Sequence, residues 1–232
     1  MNGQIYNPYY IFWSRIINIL IWPFYFFCNF SRKSYSLNDN NINSILICQY
    51  HRIGDVFLIA PVLRSLKKRY PQAHIILLCC QSAEKLSRDL ELADEVIGVE
   101  VPWTNWDWSL IKWIKARSFA RHFRKRDIDI AIDFKGDLRN SWFLWHVRSK
   151  MSLGYTDTGG SIFYTHPQRH PMGVHQTERS LRLISHLGCD SVMLDEKEFN
   201  FKDQGAIVFH AGGNDSRRVW PENRWIKLAE IL

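Results

Sequence analysis

Along the chain, short apolar runs alternate with segments of helical period. ILIC (45–48) is an unbroken apolar run of strand length, and Asp55 to Tyr70 carries apolar positions at helical spacing with a basic outer face, stopped by Pro71. HIILLCC (74–80) predicts a second strand, EKLSRDLE (84–91) a helix and EVIGVEV (95–101) a third strand. SLIKWIKARSFARHFRKR (109–126) predicts a long basic amphipathic helix and DIDIAIDF (127–134) a further strand. Helices are expected over Asp137–Val147 and Gln176–Leu187, and AIVFH (206–210) reads as a late strand. Strands alternating with helices in this way predict an α/β fold, a doubly wound Rossmann-like parallel sheet.

The first 44 residues break the alternation. YYIFWSRIINILIWPFYFFCNF (9–30) is apolar and aromatic but interrupted by Arg15 and Pro23, and Arg32 and Lys33 follow. It lacks the basic leader and small-residue cleavage site of a signal peptide, and its interruptions leave it short of the about 20 apolar residues a spanning helix needs. Residues 1–35 therefore read as a membrane-interface segment, with Trp13 and Trp22 at headgroup depth. A helix packed on the protein body is the alternative. An Asn-rich polar linker (36–44) leads to a folded domain over 45–200, with 201–232 opening a second one.

A hydrophobic fraction of 46% gives enough material for a sizeable core. The formal charge of +7 favours anionic partners, whether nucleic acid, phosphorylated sugars or an acidic bilayer, without choosing among them. Five cysteines, with no CxxC or His-rich spacing, suggest neither a disulfide framework nor a metal site. They point to a reducing cytoplasm.

Ligands of such sheets bind beyond the carboxyl ends of the strands, which directs attention to HRIGD (51–55) after the first strand. Gly54 allows a tight turn or close approach of a ligand. Asp55, in the first helical turn, either caps backbone N–H groups or serves a ligand, with His51 and Arg52 facing the same crevice. HAGGNDSRRVWPENRW (210–225) is a second constellation: a Gly-rich loop with two arginines, then Pro221 suited to the first position of a helix. His210, Gly212, Gly213, Arg217 and Arg218 would make a diphosphate cradle, or the loop is an ordinary solvated turn.

The order of IGDVFLIAPVLRSLKKRYP, DIAIDFKGDLRNS, VHQTERSLRLISHLG and HAGGNDSRRVWPENRW resembles the glycosyltransferase family 9 heptosyltransferases of lipopolysaccharide core synthesis. The resemblance implies a two-domain GT-B architecture. Its N-terminal Rossmann-like half would hold a lipid-linked oligosaccharide acceptor, and its C-terminal half a nucleotide-activated sugar donor, with no cofactor. It implies that Asp55 is the general base on the acceptor hydroxyl, that Arg52, Gly54 and Lys135 contact the acceptor, and that Arg218, assisted by Arg217, holds donor phosphate. Two departures stand out: Lys135 where relatives often have Gln, and apolar Leu58, Ile59 and Ala60 where many have Thr or His. The resemblance also implies about another domain of 100 or more residues with a late Asp-Thr-Gly motif, which is not found after His210. The expectation is a truncated donor side with little transfer of its own, peripheral on the inner face of the cytoplasmic membrane. The alternative is a non-catalytic membrane-surface or anionic-glycolipid binding protein, using Lys112, Lys115, Arg117, Arg121, Arg124, Lys125 and Arg126. No nucleic-acid reader motif accompanies the charge.

Overall fold

The computed structural model describes residues 8–29, 35, 41–104, 109–156, 158–192, 207–212 and 219–231. It divides into two compact units, Met1–Leu194 and Asp195–Leu232.

The first unit is built on β1 (Ser44–Gln49), β2 (His74–Cys80), β3 (Glu95–Val99), β4 (Ile130–Asp133), β5 (Met151–Tyr155) and β6 (His166–Gln168). All pair in parallel, in the order β3-β2-β1-β4-β5-β6. Strands buried on both faces need apolar residues at every position, and β1 shows this. Ile45 and Ile47 point into one core with Val62, Leu66, Leu183 and Ile184, while Leu46 and Cys48 point into the other with Ala120, Phe143 and Leu144. The first core is closed by α2 (Ile53–Phe57), α3 (Ala60–Arg69), α4 (Gln81–Asp89) and α7 (Gln176–Ser185), the second by α5 (Leu110–His122) and α6 (Leu138–Val147). Helices on both faces make the sheet doubly wound, as the alternation predicts.

The helix expected over Asp55–Tyr70 is two helices, parted by a turn at Leu58–Ile59. Pro61 explains the break: it has no N–H for the carbonyl of Phe57, where α2 ends, and its ring would clash with that carbonyl. The long basic helix stops at His122, continues as a 3-10 turn over Phe123–Arg126 and ends at Asp127 in the left-handed region. The sequence reading missed β5 and β6. The first contains Gly154, which a side chain could not replace because a Cβ there would lie 2.3 Å from the Tyr164 ring; the second is a three-residue edge strand containing Pro167.

Helix α1 (Pro8–Asn29) precedes the sheet. Its Tyr25 packs edge-on against Trp145 of α6, with centroids 4.8 Å apart, and against Phe163 at 4.5 Å. Tyr9, Phe12, Trp13, Ile19, Leu20, Trp22 and Phe26 are exposed. Tyr25 thus packs on the body of the unit, while these other residues of α1 are open to solvent. Among the described residues, no helix is long and apolar enough to cross a membrane.

In the second unit, Ile207–Gly212 has no regular secondary structure, so the strand expected at 206–210 is not formed over the described residues. A strand exists only through ladder bonds to a neighbour, and no strand pairs with this segment among the described residues. Helix α8 (Glu222–Ile231) follows Pro221 and buries none of its residues. Trp225 packs edge-on against Phe209 and Trp220.

Candidate active site

The strand order fixes where a ligand fits. From β1 the chain builds outward through β2 to β3, then returns to lay β4 on the other side of β1. That reversal is a topological switch point, and it opens a crevice at the carboxyl ends of β1 and β4. Their register pairs Cys48 with Asp133, so the loops after the two strands lie side by side.

The β1–α2 loop carries His51, Arg52 and Asp55. Asp55 is no cap: the N-cap of α2 is Arg52, and no side chain caps that helix. Instead the Asp55 carboxylate accepts a hydrogen bond from Gln176 Nε2 at 3.2 Å and lies 4.0 Å from Lys135 Nζ. Gln49 Nε2, from the buried end of β1, donates to the Asp55 backbone carbonyl at 3.1 Å and fixes the loop. Arg52 is exposed and extended. A Cβ at Gly54 would meet nothing within 4 Å, so packing makes no demand for glycine there and room is left for a bound group.

Lys135 is presented by the β4–α6 loop, whose shape depends on Asp133. This carboxylate is fully buried and accepts from Lys135 N (3.0 Å), Gly136 N (3.2 Å), Asn140 Nδ2 (3.0 Å) and Tyr164 Oη (2.7 Å). Burial pushes its pKa up, against the pull of those donors. Trp103 Nε1 completes the chain of bonds by donating to Asn140 Oδ1 at 2.7 Å. Gly136 turns with φ +72°, and a Cβ there would lie 2.9 Å from that of Tyr155, so only glycine fits. Asp137 then caps α6, accepting from Arg139 N at 2.8 Å.

His51 precedes Arg52 on the β1–α2 loop. Its Nδ1 is buried without a hydrogen-bond partner, and burial, then the Lys135 charge, lowers its pKa to about 4, with Asp137 and Asp55 pulling the other way. The imidazole is neutral near pH 7. A carboxylate, an ammonium, an amide donor and a neutral imidazole thus share one crevice. Asp55 and Lys135, both assigned to the acceptor side by the family resemblance, lie 4.0 Å apart. Gln176 and Asp133 were missed as site residues, although both sit inside sequence patches singled out for the family resemblance. His210 and Gly212 are exposed in the second unit, and Gly213, Arg217 and Arg218 lie outside the described residues. Among the described residues, no cluster of His, Cys, Asp and Glu could hold a metal.

A family model described as glycosyltransferase family 9 (heptosyltransferase) matches residues 116–232, half of the chain. The chain belongs to glycosyltransferase family 9. The matched stretch includes Lys135, Gln176 and the 210–218 loop; Asp55 lies before it. No curated protein sequence matches the chain. The fold is similar to E. coli heptosyltransferase WaaC with ADP, at TM-score 0.66 and 18% identity over 82% of this chain and 64% of that one. A second structure, of the same enzyme with ADP-2-deoxy-2-fluoro heptose, matches at 0.66 and 19% over 82% and 65%. A family 9 glycosyltransferase from Veillonella parvula DSM 2008 matches at 0.65 and 19% over 84% and 61%. Identities this low establish a shared fold, the α/β architecture of GT-B heptosyltransferases. The chain spans less than two thirds of the length of each of these three structures.

Proposed function

We propose that this family 9 chain forms the acceptor side of a glycosyltransferase that moves a heptose from a nucleotide-activated donor to a lipopolysaccharide core acceptor. The observation that carries the reading is Asp55 at the switch point, turned away from capping and held between Gln176 and Lys135. An inverting transfer needs a base within hydrogen-bond reach of the attacking hydroxyl; Asp55 takes that role. Lys135, Arg52 and the open space at Gly54 receive the acceptor, whose phosphate or carboxylate groups suit an ammonium and a guanidinium.

The departing nucleoside diphosphate needs positive charge as the bond to the sugar breaks. His210, Gly212, Gly213, Arg217 and Arg218 are assigned to it, and ADP in the E. coli WaaC structure supports a nucleotide-sugar donor. The exposed aromatic residues of α1 support a place on the inner face of the cytoplasmic membrane, where a lipid-linked acceptor resides. Family membership weighs against the purely non-catalytic reading.

The test is transfer of labelled heptose from ADP-heptose to a heptose-free lipopolysaccharide core. It is run on the chain and on a fusion appending the part of E. coli WaaC that the chain does not cover. Product from either form supports the proposal. Lipid binding without donor binding or product, in both forms, contradicts it.

A further inference from the structure

A cluster of four arginines lies on the opposite face of the sheet from α2, α3 and α7. Arg117, Arg121 and Arg124 follow one another at four- and three-residue spacing on α5 and the turn after it, which sets them on one side of the helix. Arg148, the left-handed C-cap of α6, joins them from a second element. They converge on His146: Arg124 Nε donates to the His146 carbonyl at 2.9 Å, and the His146 ring is edge-on to Trp142 and Trp145. The charges bearing on Arg124 are Arg121, Arg148 and Arg117, and the same four guanidinium groups add to burial in lowering the His146 pKa to about 4. Arg117, Arg121 and Arg124 are exposed.

Three exposed guanidinium groups on one side of a helix, with a fourth close by, present a positive surface that attracts anions. Apolar and aromatic neighbours fit the phosphates of a lipid surface. The patch adjoins α1 through one residue, Trp145, which takes Tyr25 of α1 on its edge and the Arg148 guanidinium 4.3 Å over its ring. Elsewhere α1 exposes Tyr9, Phe12, Trp13, Trp22 and Phe26, and tryptophan and tyrosine favour the headgroup zone of a bilayer. The first turns of α5 add Leu110, Ile111 and Ile114, also exposed.

We propose that Arg117, Arg121, Arg124 and Arg148 form a docking surface for the phosphates of anionic lipid headgroups, with exposed aromatic residues of α1 entering the same headgroup layer. The inference rests on the membrane-surface reading of α1 given above, and it adds that lipid charge, through these arginines, sets the affinity. Two positive charges near an anionic surface are worth about 1 kcal/mol each, so removing two weakens binding about 30-fold.

Vesicle co-sedimentation of the full chain tests this, with phosphatidylcholine alone and mixed with phosphatidylglycerol. Arg117→Gln with Arg121→Gln is expected to lose about 30-fold in affinity for the anionic vesicles and nothing on the neutral ones. Arg117→Lys with Arg121→Lys is expected to keep it. Trp13→Ala with Trp22→Ala is expected to weaken binding to both vesicles, which tests α1 separately. Unchanged anionic-vesicle binding by the Gln pair, or equal loss by the Lys pair, overturns the arginine surface while leaving α1 standing. Arginine-dependent binding of an RNA oligonucleotide without vesicle binding overturns it in favour of nucleic acid.

Discussion

Asp55 shows how far a single residue can be read from its neighbours in sequence. A carboxylate in the first turn of a helix is a common cap, and only the fold shows that this one faces Gln176, 121 positions later, and Lys135 instead. Such long-range pairs leave no trace in local spacing, which is why Gln176 was invisible as a site residue. His51 makes the geometry measurable. Since the Lys135 charge follows burial among the causes of its low pKa, Lys135→Met should raise the His51 midpoint from about 4 toward, but not to, the ordinary 6.5, as followed by NMR; an unmoved midpoint would separate the two residues. His51, His146 and His170 are all depressed to about 4, chiefly by burial. Each binds its proton more readily unfolded, so their contribution to stability is intact above about pH 6.5 and is lost as pH falls from there toward 4. Thermal melts across that range should show a falling Tm, and a level Tm would contradict the burial. On the donor side, Arg218→Ala should weaken nucleotide-sugar binding by about 1.5 to 3 kcal/mol, the range of a hydrogen bond to a charged group. Calorimetry that finds no change would return the 210–218 loop to a solvated turn.

Among the elements, β1 to β4 were legible in the sequence and β5 and β6 were not. β1 and β2 declare themselves because strands covered on both faces must be apolar at every position. β5 hides because Ser152 and Gly154 leave no two of its apolar residues adjacent, whereas β3 keeps Val96 and Ile97 together beside Gly98, and β6 is a three-residue edge strand with Pro167. Pro61 was in plain view but its effect was misjudged: it divides one periodic segment into α2 and α3, and the short α2 presents Asp55. The β4–α6 loop is the element on which the site most depends. Gly136→Ala would force a side chain into the left-handed region and against Tyr155, at a cost of about 1 to 3 kcal/mol, and would shift Lys135 with the loop. A melt that falls by several degrees together with weakened acceptor binding is expected. An unperturbed protein would show that the Asp133 bonds alone hold the loop.

For the molecule as a whole, the strand order turns a list of motifs into a place. The β1/β4 reversal gathers Asp55, Lys135 and His51 at one crevice, while α5 packs on the sheet beside α6, and α1 meets α6 at Trp145. If α1 is the membrane contact, deleting residues 1–35 should move the protein from the membrane to the soluble fraction of cells. Equal partition of both forms would remove that role. Asp55→Asn tests the general-base role of Asp55, because an amide keeps an oxygen for Gln176 but cannot take a proton. With the donor side supplied by the WaaC fusion and acceptor saturating, turnover should fall by about 10² to 10⁴, the contribution of a positioned base, while acceptor affinity and melting temperature hold. Turnover within a few-fold of the unsubstituted protein would contradict the assignment.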